Sequence, residues 1–164
     1  MAHSYVTSFK SLDQLPSSPQ KEVVLDKLAQ VLEELGGPRT NQGELAAFLS
    51  FALGQPSGFT CLIDSYDTLE SGLPNYLAVA VTMLTSKAGT PKAIRLDSGD
   101  LADLSIQCRQ RIDKLADNLG MEALKDIKIV ASDGLNERKV KACLEKGAKI
   151  DVYGIGTNLV TCEQ

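Results

Sequence analysis

The chain has 164 residues, the size of one domain with a substantial hydrophobic core. Its 43% hydrophobic and 23% charged residues are typical of a globular protein, and it has neither an apolar run that could cross a bilayer nor a basic leader, so we expect a cytoplasmic protein with no membrane partner. The net charge of −4, from 17 basic and 21 acidic residues, argues against a nucleic-acid-binding surface and favours small-molecule partners.

The first third of the sequence predicts two helices. Residues 5–9, YVTSF, fit either a strand edge or a short helix, and both alternatives stay open. One helix is expected to begin at Ser18-Pro19 and to stop at Gly36-Gly37-Pro38. Asn41 and Glu44 have the spacing of a capping box before a second helix. The apolar positions that recur at helical spacing in the first of these helices are Val24, Leu28, Val31, Leu32 and Leu35.

From residue 59 onward, short apolar runs alternate with amphipathic segments, a pattern that predicts repeated βα units and a parallel sheet. The longest predicted helix should end at Gly120, a residue suited to a left-handed cap. Its buried stripe is predicted at Leu101, Leu104, Cys108, Ile112, Leu115 and Leu119. The predicted strands are 60–64, 93–97, 127–132 and 150–155, and the predicted helices are 74–87, 100–119 and 136–146.

These elements predict an α/β fold, a partial (β/α) barrel with N-terminal helices. Residues 1–58 would form a histidine-bearing segment with two helices, and residues 59–164 would form four βα-type units. A complete barrel needs about 250 residues, and the sequence ends without a helix after the last predicted strand. We therefore expect one incomplete barrel domain of a larger protein, whose exposed parallel edges would favour self-association.

Polar residues and glycines follow every predicted strand at its carboxyl end. In parallel α/β folds the ligand lies outside these ends, so we expect the four of them to converge on one anionic ligand. The four ends are Asp64-Ser65-Tyr66, Asp97-Ser98-Gly99-Asp100, Ser132-Asp133-Gly134 and Gly154-Ile155-Gly156-Thr157.

Two features of these ends have both a structural and a functional interpretation. Arg95 and Asp97 point to the same face of a strand, where they could form a buried ion pair or could hold a phosphate, sugar hydroxyls or a magnesium ion. Gly156 and Thr157, with a helix N-terminus after Gly134, could receive a phosphate or could simply make tight turns. Spacing alone leaves these alternatives open.

The four cysteines do not predict a metal site or disulfides. They contain no C-x-x-C pair, and the one histidine of the chain is His3, so structural zinc is not expected. We expect reduced thiols that serve mainly in packing.

Several longer motifs are similar to those of nicotinate phosphoribosyltransferase. The segments AHSYVTSF, FLSFAL, LIDSYDTLESGLPNYLAVA, IRLDSGDL, IVASDGLNE and YGIGTNLVTC occur in the order and approximate spacing of that family, and the resemblance runs through nearly the whole chain. The related nicotinamide phosphoribosyltransferases have a similar Asp-Ser-Gly-Asp loop, although AHSYVTSF and GIGTNLVTC are more like the nicotinate enzyme.

The resemblance implies a type II phosphoribosyltransferase barrel and a reaction. Such enzymes form nicotinate mononucleotide and pyrophosphate from nicotinate and phosphoribosyl pyrophosphate in NAD biosynthesis, with ATP as co-substrate, Mg²⁺ as cofactor and a homodimer as the common assembly. Energy coupling proceeds through a phosphohistidine, which the match places on His3. Asp64 is the candidate carboxylate that orients the imidazole of His3.

Further roles follow from the same resemblance. Arg95 and Asp97 would face the phosphates and ribose of the sugar donor, with Asp97 also counted as catalytic. Asp100 would help to hold magnesium or the pyrophosphate side. Ser132, Asp133, Gly134, Gly156 and Thr157 would receive the 5′-phosphate.

The sequence departs from this family in length. Family members have an N-terminal domain and earlier barrel elements that form the nicotinate pocket, so we expect the isolated chain to turn over little or no substrate. One alternative is a phosphosugar lyase or isomerase, which normally needs a lysine or another general base at a strand end, and none of the four strand ends offers a lysine. The others are a nicotinamide phosphoribosyltransferase-like enzyme and a non-enzymatic phosphate-binding or interaction module.

Overall fold

The structure is a computed structural model that describes residues 1–17, 20–35 and 40–156. The chain forms two compact units, Met1–Lys92 and Ala93–Gln164. The predicted helix start at Ser18-Pro19, the helix stop at Gly36-Gly37-Pro38 and the predicted phosphate ligand Thr157 lie outside the described residues.

The first unit consists mainly of helices that lead into one strand. Residues 5–8 are helical, which decides between the two alternatives for that segment. The predicted strand at 60–64 ends earlier, at Leu62, so that Asp64 lies in the loop that follows it. The elements are α1 (His3–Ser8), a 3-10 turn (Leu12–Gln14), α2 (Lys21–Glu34), α3 (Gln42–Gly54), β1 (Phe59–Leu62), a π-helical turn (Thr68–Gly72) and α4 (Leu73–Thr85).

Helices α2 and α3 form because of two different apolar patterns. In α2, Val24, Leu28 and Val31 recur at spacings of four and three residues and are buried, as predicted. Helix α3 is apolar nearly all round and is buried over most of its length.

The N-terminus of α3 confirms half of the predicted capping box. The Asn41 side chain accepts a 3.0 Å hydrogen bond from the Glu44 N–H, as an N-cap should. The reciprocal half was wrong, because the Glu44 carboxylate accepts hydrogen bonds from Ser71 and Asn75 instead.

The second unit contains the parallel part of the sheet. Strand β2 (Pro91–Leu96) begins at the end of the first unit, and β2, β3 and β4 are hydrogen-bonded in that order. Strands β2 and β3 run parallel with Leu96 opposite Ala131, and β3 and β4 run parallel with Ala131 opposite Tyr153. The other elements are α5 (Leu101–Leu119), a 3-10 turn (Glu122–Leu124), β3 (Lys128–Ala131), α6 (Glu137–Glu145) and β4 (Val152–Tyr153).

The stripe predicted for α5 was partly wrong. Leu101, Cys108 and Ile112 are buried as expected, but Leu119 is 37% exposed. The other buried positions of the helix carry smaller side chains, which a close-packed interior accommodates. Those smaller residues are Ala102, Ser105 and Ala116.

Helix α5 ends where the sequence predicted. Gly120 adopts the left-handed conformation with φ 61°, and the Met121 N–H donates to the Ala116 carbonyl. The predicted division of the chain at residues 58 and 59 stays a prediction. In the part of the chain that the structure describes, no helix has both the length and the apolar character that a membrane crossing requires.

Candidate active site

His3 in the first unit lies beside the loop that follows β1. It is the first residue of α1, and its side chain is 46% exposed. Its Nε2 is 4.0 Å from Oδ1 of Asp64, a side chain that is only 1% exposed. The structure therefore brings together the predicted histidine and carboxylate, at the distance of a loose ion pair rather than of a hydrogen bond.

The other ring nitrogen of His3 has a partner that the sequence prediction missed. Nδ1 of His3 and Oγ of Ser65 are 3.1 Å apart, a hydrogen bond whose direction depends on the tautomer of the ring. Ser65 was placed at a strand end but was given no role. The sequence offered one signal for this contact, the position of Ser65 directly after Asp64. Two consecutive loop residues can reach the two nitrogens of one imidazole ring.

The loop that carries Asp64 and Ser65 packs against the π-helical turn that precedes α4. A Cβ at Gly72 would collide with the backbone of Ile63, so only glycine permits this close approach. The Asp67 carboxylate accepts hydrogen bonds from the N–H groups of Leu69 and Glu70 and caps the π-helical turn. Turns of this kind occur often at functional sites.

In the second unit, Arg95, Asp97 and Ser132 form a closed triangle of hydrogen bonds. Arg95 donates from Nε to Ser132 Oγ at 2.6 Å and from a terminal nitrogen to Asp97 Oδ1 at 3.0 Å. The Ser132 hydroxyl donates to the same Asp97 oxygen at 2.7 Å. Because Ser132 accepts from the arginine and donates to the carboxylate, its hydroxyl is fixed in orientation.

The parallel pairing of β2 and β3 positions this triangle. The Ser132 N–H donates to the Leu96 carbonyl at 2.9 Å, one residue beyond the last ladder pair, and thereby places Ser132 beside the residue that follows β2. The side chains of Arg95 and Asp97 are 33% and 24% exposed, so a charged ligand could reach them. Arg95 and Asp97 thus form the ion pair of the structural interpretation. Because both side chains are partly exposed, the ion pair is also compatible with ligand binding.

Asp100 has an evident structural role. Its Oδ1 accepts from the N–H groups of Ala102 and Asp103 and caps α5, and its Oδ2 accepts a 2.8 Å hydrogen bond from Lys146. The hydrogen bond from Lys146 is the main reason that the pKa of the Asp100 carboxyl lies below its ordinary value. A metal ion at Asp100 would have to compete with these donors.

Asp133 and Gly134 lie in the loop between β3 and α6. The Lys139 ammonium donates to the Asp133 carbonyl at 2.9 Å and lies 3.5 Å from its carboxylate. Gly134 adopts a positive φ of 45°. The following helix is capped by Asn136, which accepts from the Lys139 N–H, so one of the N–H groups expected to face a phosphate already has a partner.

Sequence reasoning missed Lys139 and Lys146, which bring positive charge to the carboxylates at this sheet edge. Both lysines come from the α6 region and not from the strand ends, and their seven-residue spacing on one helix face was the signal. At Gly156, a Cβ would meet none of the described atoms within 4 Å. The convergence of all four strand ends on one ligand stays a prediction.

Comparison with known proteins identifies what the chain resembles. No family model matches it. A nicotinate phosphoribosyltransferase of Dictyostelium discoideum is 39% identical over 170 residues, covering 99% of this chain and 28% of that protein. Nicotinate phosphoribosyltransferase 1 of Arabidopsis thaliana is 40% identical over 177 residues, covering 98% of this chain and 32% of that protein. The chain is similar to nicotinate phosphoribosyltransferases over nearly its whole length.

The fold agrees with this similarity. The crystal structure of human nicotinic acid phosphoribosyltransferase superposes with a TM-score of 0.81 and 32% identity, covering 95% of this chain and 34% of that one. The predicted fold class and the predicted resemblance to nicotinate phosphoribosyltransferase are thereby confirmed. The chain spans about a third of the length of the curated relatives it matches.

The implied magnesium ion can be tested against the side chains present. Within residues 1–17, 20–35 and 40–156, no three His, Cys, Asp or Glu side chains are grouped to hold a metal. Mg²⁺ commonly binds through one or two carboxylates together with substrate phosphates, and Asp97 and Asp100 offer oxygen ligands of that kind. The donor set therefore fits an ion carried by a phosphorylated substrate better than an ion held by protein alone.

Proposed function

We propose that this chain contributes two parts of a nicotinate phosphoribosyltransferase active site, a histidine phosphorylation site and a sugar-phosphate site. The whole enzyme would join nicotinate to phosphoribosyl pyrophosphate, release pyrophosphate and form nicotinate mononucleotide, with ATP hydrolysis coupled to the reaction. It would serve NAD biosynthesis from nicotinate, as a cytoplasmic homodimer. The similarity to enzymes of this name over 98 to 99% of the chain supports the proposal.

The observation that carries the proposal is the contact of His3 with Asp64 and Ser65. A neutral imidazole nitrogen can attack the terminal phosphorus of ATP, forming an N–P bond while the P–O bond to ADP breaks. The ring then carries a positive charge until its other nitrogen loses a proton. The buried carboxylate of Asp64 stabilises that charge, and the hydrogen bond with Ser65 restricts rotation of the ring.

The triangle around Ser132 is suited to the sugar donor. As the C1–O bond to pyrophosphate breaks, the ribose gains positive charge, which the carboxylate of Asp97 would stabilise. Arg95 would bind phosphate oxygens through its planar guanidinium group. Bound magnesium would neutralise charge on the departing pyrophosphate. Asp133, Gly134, Gly156 and Thr157 remain candidates for the 5′-phosphate.

Phosphohistidine formation tests the first part of the proposal. The chain, incubated with γ-labelled ATP and magnesium, is expected to acquire acid-labile, base-stable label, and His3 is its one histidine, so the site needs no mapping. His3→Ala should abolish the label, and Asp64→Asn should reduce it strongly. Ser8→Ala, in the same short helix, is the matched control.

Binding of the sugar donor tests the second part. Titration calorimetry with phosphoribosyl pyrophosphate should show binding that Arg95→Met weakens at least tenfold, whereas Arg138→Met on α6 should leave it unchanged. We expect no nicotinate mononucleotide from the chain alone. Phosphate binding without labelling of His3 would favour the alternative of a non-enzymatic module, and the absence of both would refute the proposal.

A further inference from the structure

A buried polar cluster lies where α3 and α4 begin, and the proposed reaction does not use it. Its side chains are Glu44, Ser71 and Asn75. Oε2 of Glu44 accepts hydrogen bonds from Ser71 Oγ at 2.5 Å and from Asn75 Nδ2 at 3.0 Å. The backbone of Asn41 closes the cluster, since its N–H donates to Ser71 and its carbonyl accepts from Asn75.

Two buried atoms of this cluster have no hydrogen-bond partner among the described residues. They are Oε1 of Glu44 and Oδ1 of Asn75. Both are acceptors, and they belong to two groups that one hydrogen bond already joins. An ionised carboxylate with one buried oxygen left unpaired would be costly. A single proton on Oε1 would turn that atom into a donor, which could serve Oδ1 of the amide that Oε2 already binds.

The charges around Glu44 also favour the neutral acid. Burial is the main cause that raises the pKa of its carboxyl, and the nearby Asp64 and Asp67 raise it further, while the hydrogen bonds from Ser71 and Asn75 act in the opposite direction. The Cys61 thiol on β1 also lies within reach of the Glu44 charge. The N-terminal ammonium of Met1 acts on the same thiol. Among the described residues, the charges that act on Glu44 itself are those of Asp64 and Asp67.

We propose that Glu44 is a neutral carboxylic acid at physiological pH, paired with the Asn75 amide through two hydrogen bonds, and that this acid–amide pair positions the histidine site. The pair fixes the first turn of α4 to α3. Gly72, the residue directly before that turn, lies against the backbone of Ile63, and Ile63 directly precedes Asp64. Glu44 is thus a positioning residue that acts through α4, without contact to His3.

The proposal predicts how the stability of the chain varies with pH. In the unfolded chain Glu44 loses its proton near its ordinary pKa of about 4.3, whereas in the folded chain it keeps the proton. The folded state then binds more protons, so the folding equilibrium constant falls about tenfold for each pH unit above that value, until the folded carboxyl also ionises. Glu44→Gln places an N–H donor where the acid has its O–H and has no proton to lose.

Urea unfolding across this pH range tests the prediction. Glu44→Gln should be at least as stable as the natural chain at neutral pH, with an advantage that grows as pH rises. Glu33→Gln, the same change on the exposed face of α2, should show no such growth. If Glu44→Gln lowers the folding equilibrium constant by the same factor at every pH, Glu44 is ionised in the folded chain and the proposal is overturned.

A second measurement needs no variant to fold. In the natural chain labelled with carboxyl-¹³C glutamate, one resonance should keep the chemical shift of a protonated acid at neutral pH. If all glutamate resonances lie at the ionised position, the proposal fails, whatever the labelling of His3 shows.

The positioning role has its own readout. The ring resonances of His3, the one histidine, should be unchanged in Glu44→Gln and displaced in Glu44→Ala. Equal spectra for the two variants would exclude the positioning role.

Discussion

Ser132 donates a 2.7 Å hydrogen bond to Oδ1 of Asp97 and thereby ties together the ends of two neighbouring parallel strands. Since Arg95 donates to both residues, three polar side chains are held in one geometry at the edge where a ligand would bind. A site arranged in this way needs little reorganisation when a charged substrate arrives.

Removal of the Ser132 hydroxyl should be costly for stability. In Ser132→Ala, Arg95 loses an acceptor and Asp97 loses a donor, both in charge-assisted hydrogen bonds, so the free energy of unfolding should fall by about 1–3 kcal/mol. Urea unfolding measures this change, and the exposed Ser17→Ala is the control. If both variants unfold alike, the triangle does not stabilise the fold.

The cap of α5 should depend more on Asp100 than on its lysine partner. Asp100→Ala removes the acceptor for two helix N–H groups and should destabilise the chain more than Lys146→Met, which removes one exposed ion-pair partner. Asp100→Asn keeps an acceptor and should fall between them. Thermal denaturation of the three variants gives the order, and a larger loss for Lys146→Met would contradict the capping role.

The same residue predicts an acid-dependent loss of stability. Because the pKa of Asp100 is lowered in the folded chain, its carboxylate contributes stability above the ordinary pKa of an aspartate and loses that contribution as pH falls through the lowered value. The difference in melting temperature between the natural chain and Asp100→Asn should therefore shrink on acidification. A difference that stays constant down to the lowest pH would show that the charge of Asp100 does not contribute.

Two glycines should respond very differently to substitution by alanine. Gly72→Ala drives a Cβ into the Ile63 backbone and should destabilise the chain by about 3 kcal/mol or more, with loss of His3 labelling. Gly156→Ala meets open space among the described atoms and should leave the unfolding midpoint nearly unchanged. Any loss of phosphoribosyl pyrophosphate binding in Gly156→Ala would then report directly on ligand approach.

The buried thiols should be unreactive while the chain is folded. Burial raises the pKa of Cys108 to about 12 and that of Cys61 further still, which removes the thiolate that reacts with disulfide reagents. Titration with a chromogenic disulfide should therefore modify both residues only after denaturant is added. The modified residues can be identified by mass spectrometry of peptides after the native chain has reacted. Rapid modification of Cys61 in the native chain would contradict its burial.

Local patterns were enough to predict most of the fold. The apolar spacing of Val24, Leu28 and Val31 placed α2, and the alternation in residues 93–96 placed β2 with Arg95 on the less buried face. The stripe on α5 was only partly right, because hydrophobicity favours leucines while close packing selected Ala102 and Ser105.

The site was harder to predict because its contacts join distant residues. Asp100 and Lys146 are separated by 46 positions, and Glu44 and Asn75 by 31, so no spacing rule connects them. The carboxyl ends of β2 and β3 were predictable as neighbours, since parallel strands bring these ends to one edge. The position of Ser132 between Arg95 and Asp97 depends on side-chain rotamers, which sequence patterns do not encode.

Asn41 engages three separate groups at once: its side chain caps Glu44, its N–H binds Ser71 and its carbonyl accepts from Asn75. Displacement of the first turn of α4 therefore also releases the start of α3. Such linkage makes the two helix starts open as one cooperative unit, so their slowest amide protons should exchange with solvent at a common rate.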